Sequence, residues 1–149
     1  MSELRRESLR NVVLISSADA GKTSLAEAML FVTGAVPHLG SIVQGTTVSD
    51  FEPEELRRRS SVSTSLLRCS WNHTTINLID PPGLLNMPGE TALALRASDA
   101  VILVVGASSG SHCPLPIAKT AIVAVSRTSW ESRPADHLVQ IFGILTTYR

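Results

Sequence analysis

Lys22 stands between Gly21 and Thr23, inside the stretch SSADAGKTSL that runs from Ser16 to Leu25. A glycine, a lysine and a hydroxyl in that order can hold a phosphate. Backbone N–H groups wrap the anion, and the start of a helix adds partial positive charge. Lys22 would reach the β- and γ-phosphates, and the Thr23 hydroxyl would ligate Mg²⁺. The strict pattern asks for glycine five residues before Gly21, where this chain has Ser16. The other reading of the same residues is a strand-to-helix turn with Lys22 in solvent. On the phosphate reading, Ser16, Asp19, Ala20, Gly21, Lys22, Thr23 and Ser24 contact nucleotide.

The second candidate is LIDPPGL, residues 78–84. A strand-ending aspartate such as Asp80 holds Mg²⁺ through a water in phosphate-loop NTPases. The N–H of Gly83 would sense the γ-phosphate. Read alone, Asp-Pro-Pro-Gly is an ordinary strand-ending turn.

The elements around these residues favour the phosphate reading, because that loop must join a strand to a helix. VVLI, residues 12–15, is a continuous apolar run of the kind a strand buried on both faces needs. Leu25, Met29 and Val32 recur at helical spacing, and Gly34 stands where a helix C-terminal glycine belongs. The run 35–64 has little periodicity and is long for a connection, as functional loops often are. TSLLRCSW and TTINLID read as two strands joined at Asn72 and His73. PPGLLNMPGE, 81–90, reads as a loop, TALALRAS, 91–98, as a short helix and AVILVVGA, 100–107, as a buried strand. Past Gly110, AKTAIVAV suits a strand, and DHLVQIFGILTT suits a helix or a strand. The order predicts a three-layer α/β domain with a mostly parallel sheet.

Bulk properties narrow the classes. The chain has 149 residues and 44% hydrophobic residues, enough for one domain with a core. Its 13 basic and 13 acidic residues cancel, so global charge offers no case for electrostatic nucleic-acid binding, and no sequence-specific DNA binding is expected. Cys69 and Cys113 form no metal pattern and no disulfide framework and read as free thiols. His38, His73, His112 and His137 are scattered without metal spacing. No run reaches the roughly 18 apolar residues of a membrane span, and a cytoplasmic protein is expected. Arg57, Arg58 and Arg59 follow EPEE, which allows Glu54–Arg58 and Glu55–Arg59 pairs if that piece is helical.

Residues 10–110 resemble the start of the GTPase domain of elongation factor G, and more closely that of elongation factor G-like proteins. RNVVLISSADAGKTSLAEAMLFVTGAV carries the family's opening with DAGKT intact. GTTVSDFEPEELRRRSSV resembles the paralogues' switch I, with Asp50, Arg58 and Arg59 in register, and INLIDPPG resembles switch II. ALRASDAVILVVGASSG resembles the helix and strand that follow. The resemblance implies GTP or GDP, Mg²⁺ and the ribosome, and a phosphate-loop NTPase fold incomplete at its C-terminal side. It divides the chain into a charged arm, 1–9, a GTPase domain, 10–110, and a divergent tail, 111–149. Switch I then falls at about 35–64 and switch II at about 80–90.

Three departures bear on chemistry. Where the family's switch I places a Mg²⁺-ligating threonine, the plain alignment gives Val62, and a one-residue shift gives Ser61 or Ser63. Where switch II has the histidine that orients the attacking water, this chain has Leu84. The guanine-selecting Asn-Lys-x-Asp is absent, and its four positions align with Ser126, Arg127, Thr128 and Ser129. Two functions are therefore expected in competition. One is a translational GTPase with weak hydrolysis. The other is a non-hydrolysing nucleotide-binding or ribosome-interaction module from a truncated or degenerate paralogue.

Overall fold

A computed structural model of the chain describes residues 9–17, 20–58, 60–83, 88–106, 121–126 and 141–142. Among the described residues the elements run in the order β1 Leu9–Ser16, α1 Lys22–Val32, α2 Pro53–Arg58, β2 Ser65–Trp71, β3 Thr74–Asp80, α3 Pro88–Ala97, β4 Ala100–Gly106 and β5 Ala121–Ser126. One five-stranded sheet has the order β2-β3-β1-β4-β5. Only β2 runs antiparallel to its neighbour; β3, β1, β4 and β5 are parallel. The expected mostly parallel sheet is present, with 12–15 between 75–80 and 100–105.

The buried-on-both-faces reading of β1 holds in detail. Val12 and Leu14 pack toward Leu25, Met29, Ile76, Leu78 and Ile102 in one core. Val13 and Ile15 face the other way, toward Ile79, Ala94 and Val101. Alternate residues of one strand thus feed two cores, because successive side chains leave a strand on opposite faces. Helix α1 covers the first core and α3 borders the second, which makes three layers.

Local signals explain the element ends. Gly34 adopts φ +71 after α1. Its N–H donates to the Phe31 carbonyl and that of Ala35 to the Leu30 carbonyl. That is the paired closure a left-handed glycine permits at a helix end. Asn72 and His73 both have positive φ and link Trp71 to Thr74 as a two-residue hairpin. Two boundaries differ from the sequence reading. Helix α3 begins at Pro88, within the stretch read as loop, because proline fits a first helical turn. The irregular run 35–64 contains α2, where Glu54 pairs with Arg58 at i,i+4. Arg59 lies outside the described residues, and Glu55 is buried and bonded elsewhere.

Strand β5 extends the parallel sheet beyond β4, in register from Ala121 against Val101 to Ser126 against Gly106. Trp71 stacks on Phe142 with ring centroids 4.9 Å apart. Burial pushes the Cys69 thiol up to about 11, against a Thr33 hydrogen bond that lowers it. It is a free, buried cysteine and stays protonated at neutral pH. Cys113, the arm up to residue 8, and most of the tail lie outside the described residues.

Candidate functional site

Strands β1 and β3 are neighbours and parallel, so their carboxyl ends open on the same edge of the sheet. Ligands in open parallel sheets bind at that edge. Ser16 ends β1 and Asp80 ends β3. The loop from β1 to α1 closes on Gly21 at φ 87 and ψ 22. A side chain there would be strained, which explains glycine at this place. Helix α1 starts at Lys22 with no side-chain cap and no acidic residue in its first turn. Its leading N–H groups therefore have no anionic partner on their own helix, the arrangement an anion completes.

Four side chains meet here. Lys22 Nζ forms an ion pair with Asp80 Oδ1. The Thr23 hydroxyl donates to Asp80 Oδ2 at 3.3 Å. It also lies 3.4 Å from the hydroxyl of Ser61. Ser61 Oγ in turn donates to Asp50 Oδ1 at 2.7 Å. Of the two switch I serines, Ser61 is the one brought to Thr23. The Ser63 hydroxyl donates instead to Glu55 Oε1 at 3.3 Å. Val62 contributes its N–H to the same carboxylate oxygen at 2.9 Å. Of the other sequence candidates, Ser16 and Ala20 are buried, and Gly21, Ser24 and Gly83 are partly buried. Asp19, Leu84, Arg127, Thr128 and Ser129 lie outside the described residues.

Three buried carboxylates surround this group, and the sequence reading gave none of them a site role. Glu27 lies one helical turn after Thr23, on the same face of α1. Its Oε1 accepts the Val48 N–H at 2.7 Å, which ties the 40–49 segment to the phosphate-loop helix. Its Oε2 is buried with no hydrogen-bond partner among the described residues. A β-carbon on Gly40 would meet that oxygen at 2.3 Å, so any larger residue there would displace the Glu27 carboxylate. Burial pushes the Glu27 carboxyl above its usual range, against the Val48 and Ser49 N–H groups, with Asp50 and Asp80 adding to the rise. Burial also raises Asp50, against the Ser61 hydrogen bond. Glu55 goes the other way. Burial raises it, but the N–H groups of Val62, Ser63 and Glu52 and the Ser63 hydroxyl together hold it below the usual carboxylate range.

Opposite shifts predict opposite mutant effects. Glu27→Gln keeps the acceptor for Val48 and replaces an unpartnered oxygen. Its folding midpoint should rise at pH 7 and the gain should shrink near pH 4. The sign follows from linkage. A carboxyl raised by folding contributes stability below its unfolded value, and that contribution is lost as pH rises through the folded value. Glu55→Gln sets an amide N–H₂ against one of the N–H donors. It should lose about 1.5–3 kcal/mol at pH 7, the scale for hydrogen bonds to a charged group. That loss should fade as pH falls through the depressed folded value. Urea melts of both variants at the two pH values check this.

The residues that converge make a definite chemical set. Asp80 and the Thr23 and Ser61 hydroxyls are hard oxygen donors, which suit Mg²⁺. The buried Ser17 hydroxyl, in the loop itself, has no partner among the described residues and suits a polar ligand. With the uncapped start of α1 beside Lys22, the site fits a nucleotide phosphate and its cation. The described residues contain no cluster of three or more His, Cys, Asp or Glu able to hold a metal ion.

A model of the elongation factor Tu GTP-binding domain matches residues 7–132. The chain belongs to that family. Within it, curated relatives include proteins named elongation factor G and elongation factor G-like protein. An elongation factor G-like protein of Mycobacterium tuberculosis is 37% identical over 106 residues, which cover 71% of this chain and 15% of the relative. Elongation factor G 2 of Streptomyces coelicolor is 36% identical over 102 residues, 68% of this chain and 15% of the relative. The mitochondrial ribosome-releasing factor 2 of Yarrowia lipolytica is 33% identical over 102 residues, 68% of this chain and 13% of that protein. A solved structure from Thermus thermophilus superposes with a TM-score of 0.73 at 29% identity, over 94% of this chain and 22% of the other. The chain thus spans about 15% of the length of the first curated relatives it matches. Among the described residues no helix is long and apolar enough to cross a membrane. Membership of this GTP-binding family implies GTP or GDP as ligand, usually with Mg²⁺.

Proposed function

We propose that the chain binds GTP and GDP with Mg²⁺ as the GTPase domain of an elongation factor G-like translational GTPase, and that it hydrolyses GTP weakly if at all. The convergence of Lys22, Thr23, Ser61 and Asp80 where β1 and β3 end carries this reading. Lys22 binds the β- and γ-phosphates, with the N–H groups of the loop and of Gly83 around them. Thr23 and Ser61 offer hydroxyl oxygens to the cation, and Asp80 holds it through a water. The Ser61 proton is already donated to Asp50, so its lone pairs are free for the cation. Mg²⁺, when bound, neutralises phosphate charge. Asp19, Ser16, Ala20, Gly21 and Ser24 complete the phosphate contacts.

Slow hydrolysis follows from Leu84. Phosphoryl transfer depends on positioning the attacking water, and a leucine side chain cannot hydrogen-bond it. Single-turnover phosphate release from GTP should be very slow in the unmodified chain. Leu84→His should accelerate it by roughly a hundredfold, the lower end of the range that a positioned side chain supplies. Fast release by the unmodified chain would show that another group orients the water. A cytoplasmic setting and contact with the ribosome are proposed on the family resemblance. Ribosome sedimentation with a non-hydrolysable GTP analogue tests that contact.

A further inference from the structure

The stretch from Ser61 to Ser65 is pinned residue by residue. Ser61 donates to Asp50, the N–H groups of Val62 and Ser63 donate to Glu55, and the Ser65 hydroxyl donates to the Ser49 carbonyl at 2.7 Å. These partners all stand in one irregular segment, at 49–55. Thr64 reaches a different element. Its hydroxyl donates to Glu90 Oε2, in the first turn of α3. A hydrogen bond to a carboxylate is roughly twice as strong as one between neutral groups, and an acidic residue suits the start of a helix.

The place of this bond in the chain gives it reach. Ser65 opens β2 and pairs with Asp80, the last residue of β3. Glu90 comes ten residues after Asp80, and Gly83 stands between them. The register of β2 on β3 fixes the Asp80 end of that stretch, and Thr64 holds its Glu90 end beside the start of the same strand. In the other direction Thr64 is three residues from Ser61, whose hydroxyl lies 3.4 Å from that of Thr23. We propose that Thr64 and Glu90 are a positioning pair: they hold Ser61 and Gly83 in one frame, and the affinity for nucleoside triphosphate relative to diphosphate depends on that frame. The inference rests on the phosphate-loop reading and adds to it two residues that touch neither phosphate nor cation. Lys22, Thr23 and the loop N–H groups belong to the β1–α1 turn and hold the phosphates that both nucleotides share. Loss of the pair therefore falls on the triphosphate.

The test is a titration of the full chain, in Mg²⁺, with mant-GDP and with mant-GMPPNP, a non-hydrolysable GTP analogue. Thr64→Val keeps the shape of the side chain and removes its hydroxyl. Glu90→Ala removes the acceptor. Both residues are only partly buried, so neither change empties the core, and the pair is tested from both ends. Each variant should lower the ratio of mant-GMPPNP affinity to mant-GDP affinity by at least about fivefold, the low end of the usual coupling between two sites. Affinity for mant-GDP should stay nearly unchanged. The double variant should lose no more than either single one, because both act through one bond. Thr64→Ser, which keeps the hydroxyl, should retain the ratio of the unmodified chain. The pair is overturned if the ratio does not move, or if both nucleotides weaken alike, which would make the bond a structural one only. It is equally overturned if Thr64→Ser behaves as Thr64→Val does, or if the unmodified chain binds mant-GDP but not the analogue. In all these cases the phosphate-loop reading survives. Absence of mant-GDP binding by the unmodified chain overturns both.

Discussion

Lys22→Ala should weaken nucleotide binding by about tenfold to a hundredfold and, separately, destabilise the fold. The binding loss is that of a charge-assisted contact to phosphate, about 1.5–3 kcal/mol. The stability loss comes from Asp80, which is almost fully buried and, among the described residues, keeps the 3.3 Å hydrogen bond from Thr23 as its one side-chain partner once the ion pair is gone. Breaking a buried pair on one side typically costs about 3–5 kcal/mol, because the surviving charge has no compensation. The two effects separate in a double variant. Lys22→Met with Asp80→Leu removes both charges and keeps apolar volume, and such replacements are often neutral in stability. Its thermal midpoint should return toward that of the unmodified chain while nucleotide affinity stays low. Titration with mant-GDP in Mg²⁺, at a temperature where every variant is folded by circular dichroism, measures the first effect. Urea melts measure the second. Equal affinity of Lys22→Ala and the unmodified chain would dispose of the phosphate-loop reading.

The contrast between that pair and its surroundings marks what a sequence of this kind discloses. Strands β1 and β4 were legible because a strand buried on both faces needs an unbroken apolar run, and β3 because Asn72 and His73 mark a hairpin turn before it. Gly34 was legible because a left-handed residue at a helix end favours glycine so strongly. The strand-to-helix turn was legible because the glycine at positive φ, Gly21, and the helix start at Lys22 are fixed by local backbone geometry. Glu27, Asp50 and Glu55 were not. Asp50 and Glu55 stand in a polar, irregular stretch and Glu27 in a helix, where a carboxylate reads as a surface charge, and the burial of all three depends on what segment 40–63 folds over. One signal was available: Glu27 follows Thr23 by four residues in a helix, so it had to share Thr23's face. The placement of Ser61 also needed three dimensions. Counting residues through an irregular loop puts Val62 opposite the family threonine, whereas the 3.4 Å approach to Thr23 belongs to the Ser61 hydroxyl. Spacing alone cannot decide a one-residue register where no periodicity fixes it.

Base selection should be weak. A site built to hydrogen-bond a group on its ligand rejects an analogue that lacks it by roughly 10⁴–10⁵, because buried polar groups would go unpaired. The family's site does this with a carboxylate that pairs with guanine N1 and N2. Strand β5 ends at Ser126, and the residues aligned with the selecting tetrapeptide are Ser126, Arg127, Thr128 and Ser129. A serine at the last of these has one hydroxyl and no charge, so it cannot form the two-point contact. The remaining affinity then comes from Lys22, the loop N–H groups and the cation, all of which touch phosphates that GTP and ATP share. Competition of mant-GTP by the two unlabelled nucleotides should show GTP preferred by about a hundredfold or less, far short of the discrimination a carboxylate site achieves. Ser129→Asp should raise the preference for GTP and leave ATP affinity nearly unchanged, because it adds a contact to the base alone. Strong GTP preference in the unmodified chain would place guanine recognition on a residue outside that tetrapeptide.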